Sequence, residues 1–271
     1  MPRNVLLPSW NSKKPVIGML HLAALPGAPL YAGSMQAICE TLLSDAQRLA
    51  EGGVDGLMME NFGDTPFYPG RVPAHVVAQM TALAAEVRRV VPQLPLGINV
   101  LRNDGLSAMA IAHAVDAQFI RVNVLCGARL ADQGILHGIA HDLLRLRNAL
   151  GAREVKIMAD VDVKHSAPLA QRELKDEVDD TVQRGLADAL IVSGAGTGKA
   201  TDPEKVRRVK EFARHAPVFL GSGVTPESIP HLAPHADGFI VGTYIKRDGV
   251  STNTVDVQRV KKLMQAVKAI S

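Results

Sequence analysis

The segment 193–199 reads SGAGTGK and follows an apolar run, an arrangement that can hold a phosphate group. A Walker A loop has a glycine, four further residues and then Gly-Lys-Ser/Thr. Counting back from Gly198 and Lys199 puts Ser193 at the first glycine position and Ala200 at the position of the magnesium-binding hydroxyl. Both departures affect residues with a defined contact, so the pattern argues against a free-standing nucleoside-triphosphate loop.

Two later segments are similar, GSGVTPE at 221–227 and VGT at 241–243. Glycines let the backbone approach a ligand closely, and successive amide N–H groups can form an anion-binding concavity. Thr225, Pro226 and Glu227 predict the start of a short helix that points at the same place. Tight turns between strands and helices also favour glycine, and for any single loop this explanation stays open. Together the three loops predict a site for a phosphate or another anion, with the candidate residues Gly196, Thr197, Gly198, Lys199, Gly221, Ser222, Gly223, Gly242 and Thr243.

The segment ADVDVKH at 159–165 places carboxylates, an amine and an imidazole close together. General acid–base catalysis requires titratable groups whose pKa has been moved toward the working pH by burial and neighbours. We expect Asp160 or Glu60 to act as the base, with Lys164 or His165 as the acid or as an electrostatic stabiliser. The alternative is that Lys164 and His165 are solvent-facing loop residues.

A divalent metal ion is an open alternative, because carboxylate and imidazole groups are common metal ligands. The residues concerned are Glu60, Asp160, Asp162, His21 and His165. No spacing enforces such a site, and no other cofactor is predicted. His137 and His141 lie four residues apart without the glutamate of an HExxH motif, so we expect both on the surface of an outer helix. Cys126 is expected to be a small buried filler rather than a reactive thiol.

Short apolar runs that alternate with longer amphipathic patterns must position these residues. Eight runs are typical of buried strands: 15–22, 56–61, 96–101, 119–124, 154–161, 189–194, 218–223 and 238–243. Helical patterns lie between them, and Ser34 and Asp202 are suited to cap two of the helices. Eight strand–helix units of this total length predict a closed (β/α)8 TIM-type barrel. A doubly wound open sheet is the alternative. No linker-like segment interrupts the pattern, so we expect one domain over 1–271.

Alternation along the predicted strands indicates which side chains face the barrel interior. Apolar residues take the outward positions, which leaves the polar side chains inside: Glu60, Asn99, Arg121, Asn123, Asp160 and Ser193. Asn99 and Asn123 would hold substrate hydroxyls, and Arg121 completes the catalytic set. Buried charges are costly unless they are paired, so an internal salt bridge between Arg121 and Asp160 is the structural alternative. Most of these residues end their strands, where barrel active sites are built.

Composition excludes several classes of function. The chain has 271 residues, 47% of them hydrophobic, a net charge of +3, 4% aromatic residues and two cysteines. Scattered basic residues and few stacking platforms argue against a nucleic-acid partner. No apolar run reaches the ~18 residues of a membrane span, and two distant cysteines form no disulfide framework. We therefore expect a cytoplasmic protein without an integral membrane segment, with a homo-oligomer as the default assembly.

The chain resembles the BtpA family, which is named for a photosystem I biogenesis protein and includes SgcQ-like proteins of sugar-utilisation operons. The similarity rests on motifs along nearly the whole chain: GMLHLAALPGAP (18–29), GGVDGLMMENFGDTPF (52–67), LGINVLRNDG (96–105), FIRVNVLCGARLADQG (119–134), ADVDVKHSAPL (159–169), DALIVSGAGTGKATD (188–202), PVFLGSGVT (217–225) and ADGFIVGTYIK (236–246). The resemblance implies a TIM-type barrel of the ribulose-phosphate-binding kind. It also implies a role in photosystem assembly or a nucleoside triphosphatase activity, and the failed Walker A pattern argues against the latter.

Three functions follow from these observations. The favoured one is an enzyme that isomerises or cleaves a phosphorylated sugar or nucleotide by acid–base chemistry. The second is an assembly or regulatory factor for photosystem I biogenesis, with the phosphate pocket as a sensor. The third is a phosphohydrolase that uses a divalent metal ion. In each case the expected ligand is a phosphorylated small molecule.

Overall fold

The computed structural model describes residues 6–10, 12–194, 196 and 201–270. Its strands are β1 (Val16–His21), β2 (Gly56–Glu60), β3 (Leu96–Asn99), β4 (Phe119–Val122), β5 (Ala128–Ala131), β6 (Gly134–His137), β7 (Lys156–Val161), β8 (Ser166–Pro168), β9 (Ala189–Ser193), β10 (Val218–Gly221) and β11 (Gly238–Val241). Its α-helices are α1 (Met35–Gly52), α2 (Ala74–Val90), α3 (Gly105–Ala114), α4 (Ala140–Ala149), α5 (Leu174–Asp179), α6 (Pro203–Phe212), α7 (Ile229–Leu232) and α8 (Val257–Lys268). A π-helical turn, Asp180–Arg184, continues α5.

Eight of the strands form a closed parallel barrel in the order β1, β2, β3, β4, β7, β9, β10, β11, and β11 pairs with β1. These are the eight predicted strands, each within two residues of its predicted ends, and a helix follows every one. The predicted (β/α)8 barrel is therefore confirmed. The open-sheet alternative is wrong, because every barrel strand has a partner on both sides. Parallel strands bring all eight carboxyl ends to one rim, where the candidate residues lie.

Helix starts follow the predicted caps where a cap residue is present. The Ser34 hydroxyl accepts a hydrogen bond from the amide of Ala37 at 3.1 Å, and Asp202 caps α6 in the same manner. Gly53 ends α1 with φ of 86°, a left-handed conformation that glycine adopts without strain.

The cap predicted at Thr225 is present, but the regular helix that follows it starts later than predicted. The Thr225 hydroxyl accepts from the Ser228 amide and the Ser228 hydroxyl accepts from the Thr225 amide, which is the pattern of a capping box, and the Ile229 amide donates to the Thr225 carbonyl at 3.1 Å. The helix α7 begins only at Ile229 and has four residues. A helix of a single turn has almost no dipole, so α7 itself contributes little to the anion binding predicted for these loops.

The core has an inner and an outer layer. Ile120, Ile157 and Ile98 pack outward against the helices, as alternation predicts. Inside the barrel lie Met58, Met158, Phe119 and Phe219, and the N-terminal segment closes the amino end with Leu6, Leu7 and Trp10. The Trp10 indole N–H donates to the carbonyl of Asp55 at 2.9 Å, which fixes this plug in place. Apolar side chains therefore fill the amino end, and polar ones are left for the carboxyl rim.

A small antiparallel sheet was not predicted. Strands β6, β5 and β8 pair in that order over the carboxyl rim, outside the barrel. The strands have only three or four residues, too short for a clear alternation of apolar and polar side chains. As a result, the placement of His137 on an outer helix is wrong, since His137 ends β6. His141 does lie on a helix, in the first turn of α4, and is exposed as expected.

Candidate active site at the carboxyl rim

A buried polar cluster connects β3, β4 and β7. Asp160 Oδ1 accepts from Arg121 Nη2 at 2.9 Å, and its Oδ2 accepts from Arg121 Nε and from Asn123 Nδ2, each at 2.9 Å. Asn99 Nδ2 donates to Asn123 Oδ1 at 3.3 Å. The Arg121 and Asp160 side chains are 4% and 0% exposed. The structural alternative of a salt bridge between these two residues is therefore present, and it saturates the Asp160 carboxylate.

Electrostatics keeps the guanidinium of this cluster charged. Burial alone would lower the pKa of Arg121, but the charge and hydrogen bonds of Asp160 outweigh it, and the pKa is raised. Glu60 adds a weaker attraction, with Oε2 at 3.9 Å from Arg121 Nη1. Arg121 is thus a permanent cation beneath the rim, between two carboxylates.

Glu60 and His21 form a second buried pair, on neighbouring strands in register. His21 Nε2 lies 4.0 Å from Glu60 Oε1, and the side chains are 8% and 6% exposed. The other ring nitrogen, Nδ1, lies 3.0 Å from the carbonyl oxygen of Ser251. Burial is the main reason that the pKa of His21 is lowered, which favours the neutral imidazole. Unlike Asp160, Glu60 accepts no side-chain hydrogen bond from a described residue.

Lys164 follows β7 and lines the same cavity as Glu60. Its loop is held by Arg102, whose Nη2 donates to the Lys164 carbonyl at 2.5 Å. Burial and, next, the charge of Arg121 lower the pKa of Lys164. A lysine in this environment can supply a proton or, once neutral, act as a nucleophile.

The two later glycine loops meet on one side of the barrel. Gly221, Ser222 and Gly223 line a cavity of about 230 Å³ together with Gly242 and Thr243. Ser222 and Gly223 have φ of 74° and 65°, a pair of left-handed residues that turns the backbone sharply. In the described part of the chain, no hydrogen bond between backbone groups uses the amides of Ser222, Gly223 or Val224.

The third predicted loop lies mostly outside the described residues. This applies to Thr197, Gly198 and Lys199, whereas Gly196 is described and buried. The next described residue, Thr201, is buried and its hydroxyl donates to the carbonyls of Gly221 and Ser222, each at 3.3 Å. Thr201 therefore lies beside the second glycine loop.

Arg259 and Tyr244 also line this cavity, and neither was predicted from the sequence. Arg259, in the first turn of α8, lines it with its guanidinium 4.6 Å from the ring centre of Tyr244. Arg259 Nε donates to the Tyr244 carbonyl at 2.5 Å. A basic residue in a charged amphipathic helix gives no signal of a rim position, because the sequence does not show where the helix starts relative to the barrel.

The predicted set is divided rather than gathered in one cavity. Glu60, Arg121 and Lys164 face the cavity of the glycine loops. Asn123 and Asp160 instead line a neighbouring cavity of about 170 Å³ beneath the small sheet, and Cys126 lies there too. Burial raises the pKa of the Cys126 thiol, in agreement with an unreactive filler. His165 is exposed and lines neither cavity.

The proposed metal ligands are also separated. Asp162 binds Arg129, and its other oxygen accepts from Lys205 Nζ at 2.5 Å, outside the barrel interior. Within the described ranges, no group of three or more histidine, cysteine, aspartate or glutamate residues could hold a metal ion. Among the same residues, no helix is long and apolar enough to cross a membrane.

Fold and site together define a TIM-type barrel with a polar cavity and glycine loops at its carboxyl rim. Solved structures with this architecture include a 3-keto-L-gulonate-6-phosphate decarboxylase from Vibrio cholerae, with a TM-score of 0.60 and 13% identity, covering 96% of this chain and 100% of that one. A phosphoribosyl anthranilate isomerase from Thermus thermophilus matches with a TM-score of 0.58 and 12% identity, over 95% of this chain and 100% of that one. At such low identity these likenesses show the fold alone.

The chain belongs to the BtpA family, whose model matches residues 12–269. A protein of Thermococcus kodakarensis is 48% identical over 95% of this chain and 97% of its own length. The photosystem I biogenesis protein BtpA of Synechocystis is 43% identical over 97% of this chain and 91% of its own. A mitochondrial protein of Caenorhabditis elegans is 32% identical over 96% of this chain. The resemblance seen in the sequence motifs is thus confirmed.

Proposed function

We propose that this protein is an enzyme that binds a phosphorylated sugar or nucleotide and transfers a proton next to its carbonyl group, as isomerases and lyases do. One observation carries the proposal: the glycine loops at 221–223 and 242–243 line the same cavity as Glu60 and Lys164. A phosphate held by loop amides would place the rest of the substrate against these titratable groups.

Each group has a role that follows from its environment. Glu60 is the better proton acceptor, because Asp160 already accepts three hydrogen bonds, whereas among the described side chains Glu60 has only long contacts, to Arg121 and His21. Lys164 and Arg121 supply positive charge where an enolate oxygen would develop. In this scheme Asp160 is a positioning residue that holds Arg121 rather than the base.

Arg259 is the described cation best placed to assist the glycine loops. Its Nε is committed to the Tyr244 carbonyl, which leaves the terminal nitrogens for a ligand in the cavity. Arginine suits this task because its planar guanidinium can bind two phosphate oxygens at once.

Calorimetry with inorganic phosphate and a panel of sugar and nucleoside phosphates tests the proposal. We expect binding of inorganic phosphate, tighter binding of at least one organic phosphate, and about tenfold weaker binding in Arg259→Gln. Arg207→Gln, on the exposed face of α6, is the matched control and should bind like the wild type. Absence of phosphate binding in the wild type would refute the proposal.

A second candidate is an assembly factor for photosystem I, favoured by the 43% identity to the Synechocystis protein of that name. Such a factor could use the cavity as a sensor without turnover. The two candidates differ in one measurable respect, since only the enzyme exchanges a substrate carbon-bound proton with deuterated water and loses that exchange in Glu60→Gln.

A further inference from the structure

His21 lies in the cavity but has no role in the proposed acid–base chemistry. Its strand, β1, lies between β11, which carries the loop of Gly242, and β2, which carries Glu60. A Cβ atom added at Gly242 would lie 3.0 Å from His21 Cε1 and 3.2 Å from Nε2, so the loop touches the ring directly. Around the rim, His21 therefore lies between the glycine loop of Gly242 and Glu60.

Two contacts hold the imidazole in one orientation. Phe62 stacks on it at 4.4 Å between ring centres, with 18° between the planes. Ser251 places its carbonyl 3.0 Å from Nδ1, and a carbonyl can only accept a hydrogen bond. Nδ1 must therefore carry the proton, and in the neutral ring Nε2 is left with a lone pair.

The lone pair on Nε2 faces a second acceptor. Glu60 Oε1 lies 4.0 Å away, too far for a hydrogen bond, and both residues line the cavity. Both acceptors face the cavity side by side, and neither receives a hydrogen bond from a described side chain, so a ligand in the cavity can donate to both. Hydroxyl groups are the donors that a phosphorylated sugar offers next to its phosphate.

We propose that His21, as its Nδ1–H tautomer, accepts a hydrogen bond through Nε2 from a substrate hydroxyl that lies between the phosphate and the carbon on which Glu60 acts. The inference rests on the proposed function and narrows its substrate class to phosphorylated polyhydroxy compounds. His21 would then be a specificity-determining residue, because a phosphorylated compound without a hydroxyl would leave both acceptors unpaired.

Two variants separate the two nitrogens of the ring. In His21→Asn the amide nitrogen takes the place of Nδ1 and keeps the contact to Ser251, but nothing replaces Nε2. In His21→Gln the carboxamide reaches the place of Nε2 and the contact to Ser251 is lost. Methyl phosphate and ribose 5-phosphate serve as probes, the first without a hydroxyl and the second with several, and inorganic phosphate is the reference.

We expect wild-type protein to bind ribose 5-phosphate more tightly than methyl phosphate. One lost hydrogen bond corresponds to about a five- to tenfold weaker affinity, so His21→Asn should lose this factor for ribose 5-phosphate only. His21→Gln should recover part of it. Equal losses for all three probes would show that His21 is merely structural, and equal wild-type affinity for methyl phosphate and ribose 5-phosphate would also overturn the proposal.

Nitrogen-15 spectra of the histidine rings test the same inference without any ligand. We expect His21 to show a protonated Nδ1 and an unprotonated Nε2 at neutral pH, with Nε2 shifting when ribose 5-phosphate is added. A ring protonated on Nε2 would refute the assignment. If wild-type protein binds no inorganic phosphate, the proposed function fails; if phosphate binds but His21→Asn does not discriminate, only the present inference fails.

Discussion

The ion pair of Arg121 and Asp160 gives the sharpest prediction on stability. In Asp160→Asn the amide keeps the shape of the carboxylate but not its charge, and the guanidinium, 4% exposed, retains only Glu60 at 3.9 Å. Removing one partner of a buried pair costs about 3–5 kcal/mol, and the remaining carboxylate places this case near 3 kcal/mol. At about 2–4 °C per kcal/mol for a chain of this size, the melting temperature should fall by about 6–12 °C.

The assay is thermal unfolding followed by circular dichroism, with the exposed pair of Arg207 and Glu204 as the control. Glu204 accepts from Arg207 at 2.7 Å but both side chains are about half exposed, so Glu204→Gln should leave the melting temperature unchanged. The double variant Arg121→Met/Asp160→Leu should recover only part of the loss, because it removes the unpaired guanidinium but leaves Glu60 without this cation and Asn123 without its acceptor. An Asp160→Asn protein as stable as the control variant would refute this account of the rim.

Three further predictions concern the cavity. Burial lowers the pKa of His21, so below about pH 6.5 the unfolded chain binds more protons than the folded one. The free energy of unfolding should therefore fall on acidification. In urea unfolding, His21→Asn should show a shallower fall than the wild type. Burial lowers the pKa of Lys164, so its amine should form a borohydride-reducible imine with pyridoxal 5′-phosphate. Inorganic phosphate should protect Lys164 from this labelling. Equal labelling of the exposed Lys13 in a peptide map would contradict the prediction. Gly242→Ala should displace the His21 ring and weaken phosphate binding severalfold in calorimetry, whereas Gly70→Ala, with nothing near its added Cβ, should not.

Much of the fold could be predicted because barrel strands follow a simple rule. Alternation along β4 and β7 separates outward Ile120 and Ile157 from inward Arg121 and Asp160, and the structure places all four as expected. The rule works because the inner face of a closed barrel has no access to water except at its ends. A polar side chain on that face must be near the rim or paired, and here both conditions are met.

The division of the site could not be predicted, because it depends on contacts between distant segments. Asp160 and Glu60 look equivalent in the sequence, each an acidic residue near the end of a buried strand. The pairing of Arg121 with Asp160 was one open alternative, and the structure decides for it, with 2.9 Å between Arg121 and Asp160 and 3.9 Å between Arg121 and Glu60. The small sheet then encloses Asp160 and Asn123 in a cavity of their own. No local sequence pattern predicts which of two carboxylates an arginine pairs with.

The orientation of His21 depends on Ser251, and the segment that carries Ser251 is held by Asp45 on α1. Lys246 is 1% exposed and donates to Asp45 Oδ2 on α1 at 2.7 Å. Asp45 Oδ1 accepts from the amide of Val255 at 2.7 Å, so one carboxylate anchors both ends of the segment that carries Ser251. Because the Ser251 carbonyl selects the tautomer of His21, this buried ion pair on the outer layer of the barrel helps to determine which nitrogen faces the cavity. A helix that touches no ligand thereby contributes to the hydrogen-bonding pattern of the site.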